Sequence, residues 1–156
     1  MKGRRFFFYG TLMDSSVRRA VLGRSIDRSR LQRAVLPGFR RVFRLGATYP
    51  VLIADAGGRV DGILASGLSP HDVARLVRYE GAGYRLSQRP VQRPGGKTTL
   101  ACLFLPETDT MASSVPWQFD GWRRRYRARF LQGIGQHRTA DVADRQAFRA
   151  RASADS

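Results

Sequence analysis

The chain is poor in the residue types that build metal and redox sites. It contains one cysteine and two histidines among 156 residues, so an internal disulfide is impossible and a metal site of these ligands is disfavoured. Cys102 lies in the apolar stretch LACLFL, which predicts a small core residue; the alternative is a reactive thiol. Because cysteine is so scarce, we expect a reducing compartment and a cytoplasmic protein.

Long apolar runs are also missing. The aromatic run in MKGRRFFFYG is too short for a membrane span, soon reaches Asp14 and lacks the small-residue cleavage site of a secretory signal. We therefore expect no signal peptide and no membrane association. A hydrophobic fraction of 42% is enough for one packed core. We predict one domain over residues 1–135 and a polar tail over residues 136–156, which is weakly ordered or forms a short helix.

Acidic residues are few, with 12 against 28 basic residues and a net charge of +16. Two of the basic residues are lysines, so 26 are arginines, spread along the chain. Such a charge attracts polyanions at low salt, but a GC-rich coding bias gives the same excess of arginine over lysine. The alternation of aromatic and basic residues in WRRRYRAR suggests nucleic-acid binding. Trp122 and Tyr126 fall on a predicted core stripe, however, so we expect no specific nucleic-acid partner.

Common catalytic signatures are absent as well. The chain has no Walker loop, no GxGxxG after a strand, no GxSxG and no CxxC pair. His71 and His137 are expected at the surface. Glutamate occurs twice, as Glu80 and Glu107, and Glu107 lies in the loop-like segment PETDT, where a solvated carboxylate is the simplest interpretation.

Strand patterns, mostly in hairpins, surround a few helical segments. We predict strands at residues 5–9, on both sides of a Pro37-Gly38 turn within 31–45, on both sides of a Gly57-Gly58 turn, and at 84–92 and 98–105, with a loop over 106–116. This order predicts an α+β fold with a largely antiparallel sheet or a small barrel. The helices are too few for a doubly wound sheet.

Three helices are predicted from caps and apolar spacing. One runs from the N-cap Asp14 to Leu22, and another shows an aromatic stripe around Trp122. The clearest helix is SPHDVARLVRYE, where Ser69 is a good N-cap and proline suits the first helical position. Its inward face is predicted to consist of Val73, Leu76, Val77 and Glu80.

Glu80 is the strongest candidate for acid–base chemistry. It lies at the C-terminal end of the predicted helix, on the apolar face, before Gly81. Desolvation and the negative end of the helix dipole both disfavour the ionised carboxylate, so its pKa is expected to rise toward the range useful for proton transfer. The alternative is a carboxylate paired with one of the many arginines.

The turn YGTL is the second candidate. Gly10 follows a buried aromatic strand and precedes a helix, and successive N–H groups at such a turn form an anion-binding concavity. A carboxylate or a developing oxyanion suits this position. The alternative is a tight structural turn, and the alternatives for Tyr9 are a hydroxyl at the rim or a core aromatic.

Together these segments resemble the gamma-glutamylcyclotransferase-like family, including its AIG2-like branch. The resemblance rests on FFFYGTLM, the segments YPVLIAD and GRVDGIL, and LVRYEGAGYRL, and covers roughly residues 5–131. Many relatives have an aspartate in the helix just before the glutamate, as in LDxxEG, where this chain has Val77. That departure bears on substrate specificity or on anchoring of the helix.

The resemblance implies a small mixed barrel flanked by helices, with a loop that binds substrate through backbone N–H groups. The residues of this chain that match the loop are Tyr9, Gly10, Thr11 and Leu12. It also implies that Glu80 is the general acid and base and that Tyr84 is a pocket residue. The implied reaction releases an amine and 5-oxoproline from a small gamma-glutamyl substrate, with no cofactor and no metal. The alternative is a noncatalytic binding protein on the same fold.

Overall fold

The computed structural model describes residues 3–107 and 111–134. This part of the chain contains six strands, four helices and two short 3₁₀ turns, at Thr11–Met13 and Arg28–Arg30. In chain order the elements are β1 (Arg4–Phe8), α1 (Ser15–Leu22), β2 (Leu31–Arg44), β3 (Pro50–Leu68), α2 (Pro70–Glu80), β4 (Tyr84–Gln92), β5 (Thr98–Pro106), β6 (Ala112–Pro116), α3 (Phe119–Arg125) and α4 (residues 127–134).

Five strands close into a barrel. Their order is β3, β1, β5, β4 and β2, and the pairing of β2 with β3 closes the ring, while β6 pairs with β2 outside it. The pairings are antiparallel, apart from β1 with β5, which is parallel. The predicted α+β fold, a small, mixed, largely antiparallel barrel flanked by helices, is therefore confirmed.

The predicted turns at Pro37-Gly38 and Gly57-Gly58 are wrong. β2 and β3 are each continuous and pair with each other along their length, so the hairpin turn lies at residues 45–49 instead. Gly38 has a φ of +87° at a break in the register of this pair, and a Cβ on Gly58 would lie 2.2 Å from the carbonyl oxygen of Phe39. A bulge with such close backbone contact needs glycine for the same steric reasons as a turn does.

Two further predictions fail in the C-terminal half. The second part of the predicted loop over 106–116 forms β6, which pairs with β2 at Val42 and Pro116. The predicted aromatic helix is divided at Tyr126 into α3 and α4. The predicted tail over residues 136–156 and His137 lie outside the described residues.

The aromatic strand β1 divides its side chains between two cores. Phe7 and Tyr9 join a cluster made of strand residues, which fills the barrel interior. Phe6 and Phe8 face the other way and join Trp117 and the residues of the helices in the second cluster. Because successive side chains on a strand point to opposite faces, one short aromatic run anchors both layers. Cys102 is buried in the second cluster, as predicted.

The helix caps follow the sequence. Asp14 accepts hydrogen bonds from two N–H groups of α1, and Ser69 and Asp72 form a reciprocal capping box at the start of α2. α2 ends at Gly81, whose φ is +83°. Val77 is 47% exposed, so its predicted place on the inward face is wrong. Within the described residues, no helix has the length and apolar character that a membrane span requires.

Candidate active site

The YGTL turn joins β1 to α1 through the 3₁₀ turn Thr11–Met13. A Cβ on Gly10 would lie 3.1 and 3.2 Å from Cγ and Cδ of Pro50, so glycine allows the first residues of β3 to approach the turn closely. The N–H groups of Met13 and Asp14 donate to the carbonyl oxygens of Gly10 and Thr11, at 2.9 and 3.1 Å. The turn is thus fixed by its own backbone and by β3.

Two arginines hold the remaining carbonyl groups of the turn. Nη1 of Arg41 donates to the carbonyl oxygen of Tyr9 at 2.8 Å, and Nη1 of the buried Arg18 donates to those of Leu12 and Met13 at 3.0 and 2.7 Å. The first N–H groups of a helical turn have no partner inside that turn. The protein therefore satisfies the carbonyl side of these peptides, while the N–H groups of Thr11 and Leu12 have no partner inside the 3₁₀ turn.

Arg41 also connects the turn to two other elements. Nη1 donates to the carbonyl oxygen of Asp61 at 2.8 Å, Nε donates to that of Trp117 at 3.1 Å, and the guanidinium lies 4.9 Å from the centre of the Trp117 ring. Burial lowers the pKa of Arg41 to about 10, and Asp61 offsets part of this shift. The residue thus fixes the turn against β3 and the start of the C-terminal helices.

Glu80 occupies the last position of α2 and is partly buried. Desolvation by the surrounding protein raises the pKa of its carboxyl group to about 7. At neutral pH the group is therefore present in both its charged and its neutral form, and it can accept or donate a proton. The other glutamate, Glu107, is exposed in a loop.

The end of α2 is tied directly to the YGTL turn. The hydroxyl groups of Thr11 and Tyr79 share a hydrogen bond of 2.8 Å, and Tyr79 is the residue before Glu80. The Glu80 carboxylate also acts electrostatically on the phenol of Tyr9. The structure therefore brings together the two segments that the sequence singled out, although 70 positions separate Gly10 from Glu80.

Four of the five tyrosines of the chain surround this region. Burial raises the pKa of Tyr9, Tyr79 and Tyr84, and the nearby Glu80 raises each of these pKa values further. Tyr49 contributes in the same direction to the pKa values of Tyr79 and Tyr84. All three phenols remain protonated at neutral pH, and those of Tyr79 and Tyr84 are possible hydrogen-bond donors near the carboxyl group.

Tyr9 itself is committed to the core. It is 8% exposed, and its hydroxyl donates to the carbonyl oxygen of Phe104. Of the two interpretations of this residue, the structure supports the core aromatic. Its backbone carbonyl accepts a hydrogen bond from Arg41 and belongs to the YGTL turn.

The turn between β2 and β3 forms a wall that the sequence analysis missed. Nη1 of Arg44 donates to the Tyr49 hydroxyl at 2.9 Å, and the guanidinium lies 5.8 Å from the centre of the Tyr49 ring. Arg44 also lowers the pKa of Tyr84, in opposition to burial and Glu80. The segment TYP, which leads into β3, predicts only the beginning of a strand when it is taken from the sequence alone. Pro50, the first residue of β3, lies against Gly10 and so places the β2–β3 turn next to the YGTL turn.

Other candidate residues do not join the site. His71 is exposed in the first turn of α2, where it accepts a hydrogen bond from Nε of Arg75 at 3.3 Å. In the part of the chain that the structure describes, no three His, Cys, Asp or Glu residues are grouped as metal ligands would be. Glu80 is a carboxyl group beside the YGTL turn with a raised pKa, whereas Asp14, which follows that turn, caps α1 and pairs with Arg127.

Comparisons with known proteins identify the family of this chain. The family model described as "Gamma-glutamyl cyclotransferase, AIG2-like" matches residues 6–124. The chain belongs to this family. The match includes the YGTL turn, Glu80 and Tyr84, so it covers all the segments that form the site.

Individual relatives of the gamma-glutamyl cyclotransferase, AIG2-like family are distant. AIG2-like protein A of Arabidopsis thaliana is 25% identical over 129 residues, which cover 81% of this chain and 76% of that protein. A solution structure of an Arabidopsis thaliana protein has a TM-score of 0.62 at 23% identity and covers 84% of this chain and 87% of its own. A solved gamma-glutamyl cyclotransferase has a TM-score of 0.61 at 14% identity, with coverages of 86% and 87%. These structures share the fold.

Proposed function

We propose that this protein is a gamma-glutamyl cyclotransferase. It cleaves a gamma-glutamyl amide by intramolecular cyclisation, which releases 5-oxoproline and a free amine. The proposal rests on the Glu80 carboxyl group, whose pKa is raised to about 7. This group lies beside the YGTL turn, and the carbonyl groups of that turn already accept hydrogen bonds from the protein. Family membership supports the same class of reaction.

The reaction needs proton transfer more than it needs a strong external nucleophile. The α-ammonium of the substrate gives a proton to the Glu80 carboxylate, and the resulting amine attacks the side-chain carbonyl carbon. A new C–N bond forms, the carbonyl oxygen becomes an oxyanion, and the original amide C–N bond then breaks. The oxyanion re-forms the carbonyl group as this bond breaks. Glu80 returns its proton to the leaving nitrogen, and the second proton on the attacking nitrogen passes to the released amine, which leaves as an ammonium ion. 5-Oxoproline thus keeps one N–H, and Glu80 ends as the carboxylate. Because the attack is intramolecular, holding the reactive conformer supplies a large part of the rate enhancement.

The N–H groups of Thr11 and Leu12 are proposed to bind negative charge on the substrate. They belong to a turn whose carbonyl groups are held by protein donors, so the peptide dipoles are oriented before substrate arrives. Preorganised donors of this kind stabilise a carboxylate or a developing oxyanion without reorganisation during the reaction. Gly10 allows Pro50 to pack closely against this turn.

Tyr84 is proposed to help position the substrate. It is partly buried, and both Glu80 and Arg44 act electrostatically on its pKa, so its phenol lies near both groups. Burial raises that pKa, which keeps the hydroxyl protonated and able to donate a hydrogen bond. This role places the substrate between the YGTL turn and the start of β4.

The activity can be tested with a panel of gamma-glutamyl amides, scoring 5-oxoproline and the free amine. The panel should include gamma-glutamyl amino acids and a gamma-glutamyl-lysine isopeptide, because these differ in the amine that leaves. We expect stoichiometric formation of both products from at least one substrate. Retention of these compounds without turnover on any of them would instead support a noncatalytic binding protein.

The pH dependence of the reaction follows from Glu80. Proton uptake requires the carboxylate, so kcat/KM is expected to rise with pH through the pKa of about 7 and then to level off. A glutamate with an ordinary pKa of about 4.3 would give a flat profile over the same range. The measurement is kcat/KM for the best substrate between about pH 5 and 8.5, on either side of that pKa.

A further inference from the structure

Two adjoining cavities lie at the opposite end of the barrel from Glu80. Their volumes are about 680 and 360 Å³. Both are lined by Arg5 near the start of β1 and by Ser66 near the end of β3, whereas the YGTL turn follows the end of β1. Because β1 and β3 are antiparallel, these residues lie together at the other end of the two strands. Arg30 also lines both cavities, so they form one continuous cleft.

The cleft is lined by a concentration of positive charge. The arginines that line it are Arg4, Arg5, Arg28, Arg30 and Arg93. No aspartate, glutamate or aromatic residue is among the described residues that line it. Ser29, Gln32, Ser66 and Gln88 add neutral polar groups. This lining suits a multiply charged anion.

The guanidinium groups are not neutralised within the protein. Nη1 of Arg5 donates to the Thr99 hydroxyl at 2.8 Å, and Nε of Arg93 donates to Oε1 of Gln32 at 2.7 Å, so both have uncharged partners. The Arg28 side chain has no hydrogen bond or ion pair to any residue in the ranges 3–107 and 111–134. Nη1 of Arg30 donates to the carbonyl oxygen of Gly67 at 3.5 Å. The guanidinium of Arg28 is therefore wholly free for a ligand, and those of Arg5, Arg30 and Arg93 are partly free.

One carboxylate lies close to the cleft. Asp27 interacts electrostatically with Arg30, but its Oδ1 already accepts hydrogen bonds from the N–H and hydroxyl groups of Ser29, at 2.9 and 2.7 Å. These hydrogen bonds are the main reason that the pKa of Asp27 is lowered. Asp27 therefore adds one negative charge, already hydrogen-bonded to Ser29, near a cleft lined by five arginines, so the cleft keeps a large excess of positive charge.

We propose that this cleft binds an oligophosphate, a chain of two or three phosphate groups, either free or carried by a nucleotide. Guanidinium groups bind phosphate through paired hydrogen bonds, and several arginines around one cleft match several phosphate charges. The larger cavity has the size of an ordinary small-molecule site. Because no aromatic side chain among the described lining residues can stack on a base, recognition depends on the phosphate chain, and the site is independent of the reaction at Glu80.

The test is calorimetric titration of the full chain with tripolyphosphate and with ATP at about 0.15 M salt, where attraction by net charge alone is screened. Saturable one-site binding is expected, with similar affinities for the two ligands. The double variant Arg28→Gln/Arg30→Gln should bind at least about tenfold more weakly, since each lost charge-assisted contact is worth about a factor of ten. Both side chains are exposed, so the fold should be retained, which circular dichroism can verify.

The matched control is Arg124→Gln/Arg125→Gln, which removes the same charge from exposed positions on α3. It should bind tripolyphosphate like the wild-type protein, and so should Glu80→Gln. Equal weakening in the two double variants would overturn the proposal, because it would mean attraction by net charge. The absence of saturable binding at this salt concentration would also overturn the proposal. A competition measurement with single-stranded RNA gives a further check, and RNA binding that tripolyphosphate does not displace would overturn it as well.

Discussion

Replacing Glu80 with glutamine is expected to lower the rate of 5-oxoproline formation by about a thousandfold, the size typical of a lost general acid and base. Glutamine keeps the shape and hydrogen-bonding capacity of the side chain but cannot take up a proton. The substrate ammonium then stays protonated, and the leaving amine lacks a donor. The measurement is kcat/KM for the best substrate at about pH 8, above the pKa of Glu80.

The matched control is Glu107→Gln, because Glu107 is the other glutamate of the chain and is exposed. It should retain wild-type activity. Glu80→Gln should fold at least as stably as wild type at pH 8, since burial raises the Glu80 pKa and so disfavours the charged form in the native state. A Glu80→Gln enzyme that is folded and fully active would remove this residue from the mechanism.

Replacing Arg41 with methionine is expected to damage both stability and activity. The substitution leaves the carbonyl groups of Tyr9, Asp61 and Trp117 without their guanidinium donor. Hydrogen bonds to charged groups are worth about 1.5 to 3 kcal/mol each when buried, and because Arg41 is only partly buried we expect a smaller total loss of about 3 kcal/mol in the free energy of unfolding. Denaturant titration measures this loss.

The activity of Arg41→Met should fall by about a hundredfold at a temperature where the variant is folded, because a misplaced binding turn costs that much. Arg40→Met is the control: Arg40 is the preceding residue on β2, is exposed, and loses the same charge. Arg41→Lys should recover part of the stability, since lysine restores the charge without the planar fork. If Arg41→Met and Arg40→Met behave alike, Arg41 does not position the turn.

Helices α1 and α2 and the β4–β5 hairpin could be predicted because the residues that determine them are close together in the sequence. Asp14 and Ser69 cap helices through bonds to N–H groups two or three residues away, and Gly23 and Gly81 end these helices. The β4–β5 hairpin likewise has its turn residues between two paired strands of nine residues each. In each case the residues that decide the structure are neighbours in the sequence.

The long β2–β3 hairpin could not be predicted because its decisive contacts are not local. Gly38 and Gly58 look like turn residues, but Gly38 lies at a break in the register of the β2–β3 pair and Gly58 packs against the carbonyl oxygen of Phe39. The true turn, at residues 45–49, contains a single glycine. β6 was missed for a related reason, since ASSVP has little apolar character and becomes a strand by pairing with β2.

The candidate site likewise contains some features that are determined by local sequence and others that depend on contacts between distant residues. The YGTL turn and Glu80 could be found from glycine placement, helix spacing and family resemblance. Arg18, Arg41 and Arg44 could not be distinguished among 26 arginines, because a guanidinium acquires a role from the carbonyl groups and rings that the fold brings to it. Val77 was placed inward from spacing alone, whereas α2 exposes it.

The most direct test of the account is the pKa of the Glu80 carboxyl group itself. The chain has two glutamates, so protein labelled with carbon-13 at the glutamate side-chain carboxyl gives two resonances, and Glu80→Gln identifies one of them. That resonance is predicted to titrate with a midpoint of about 7. A midpoint near about 4.3, the ordinary value for glutamate, would contradict the sheltered carboxyl group on which the proposed chemistry depends.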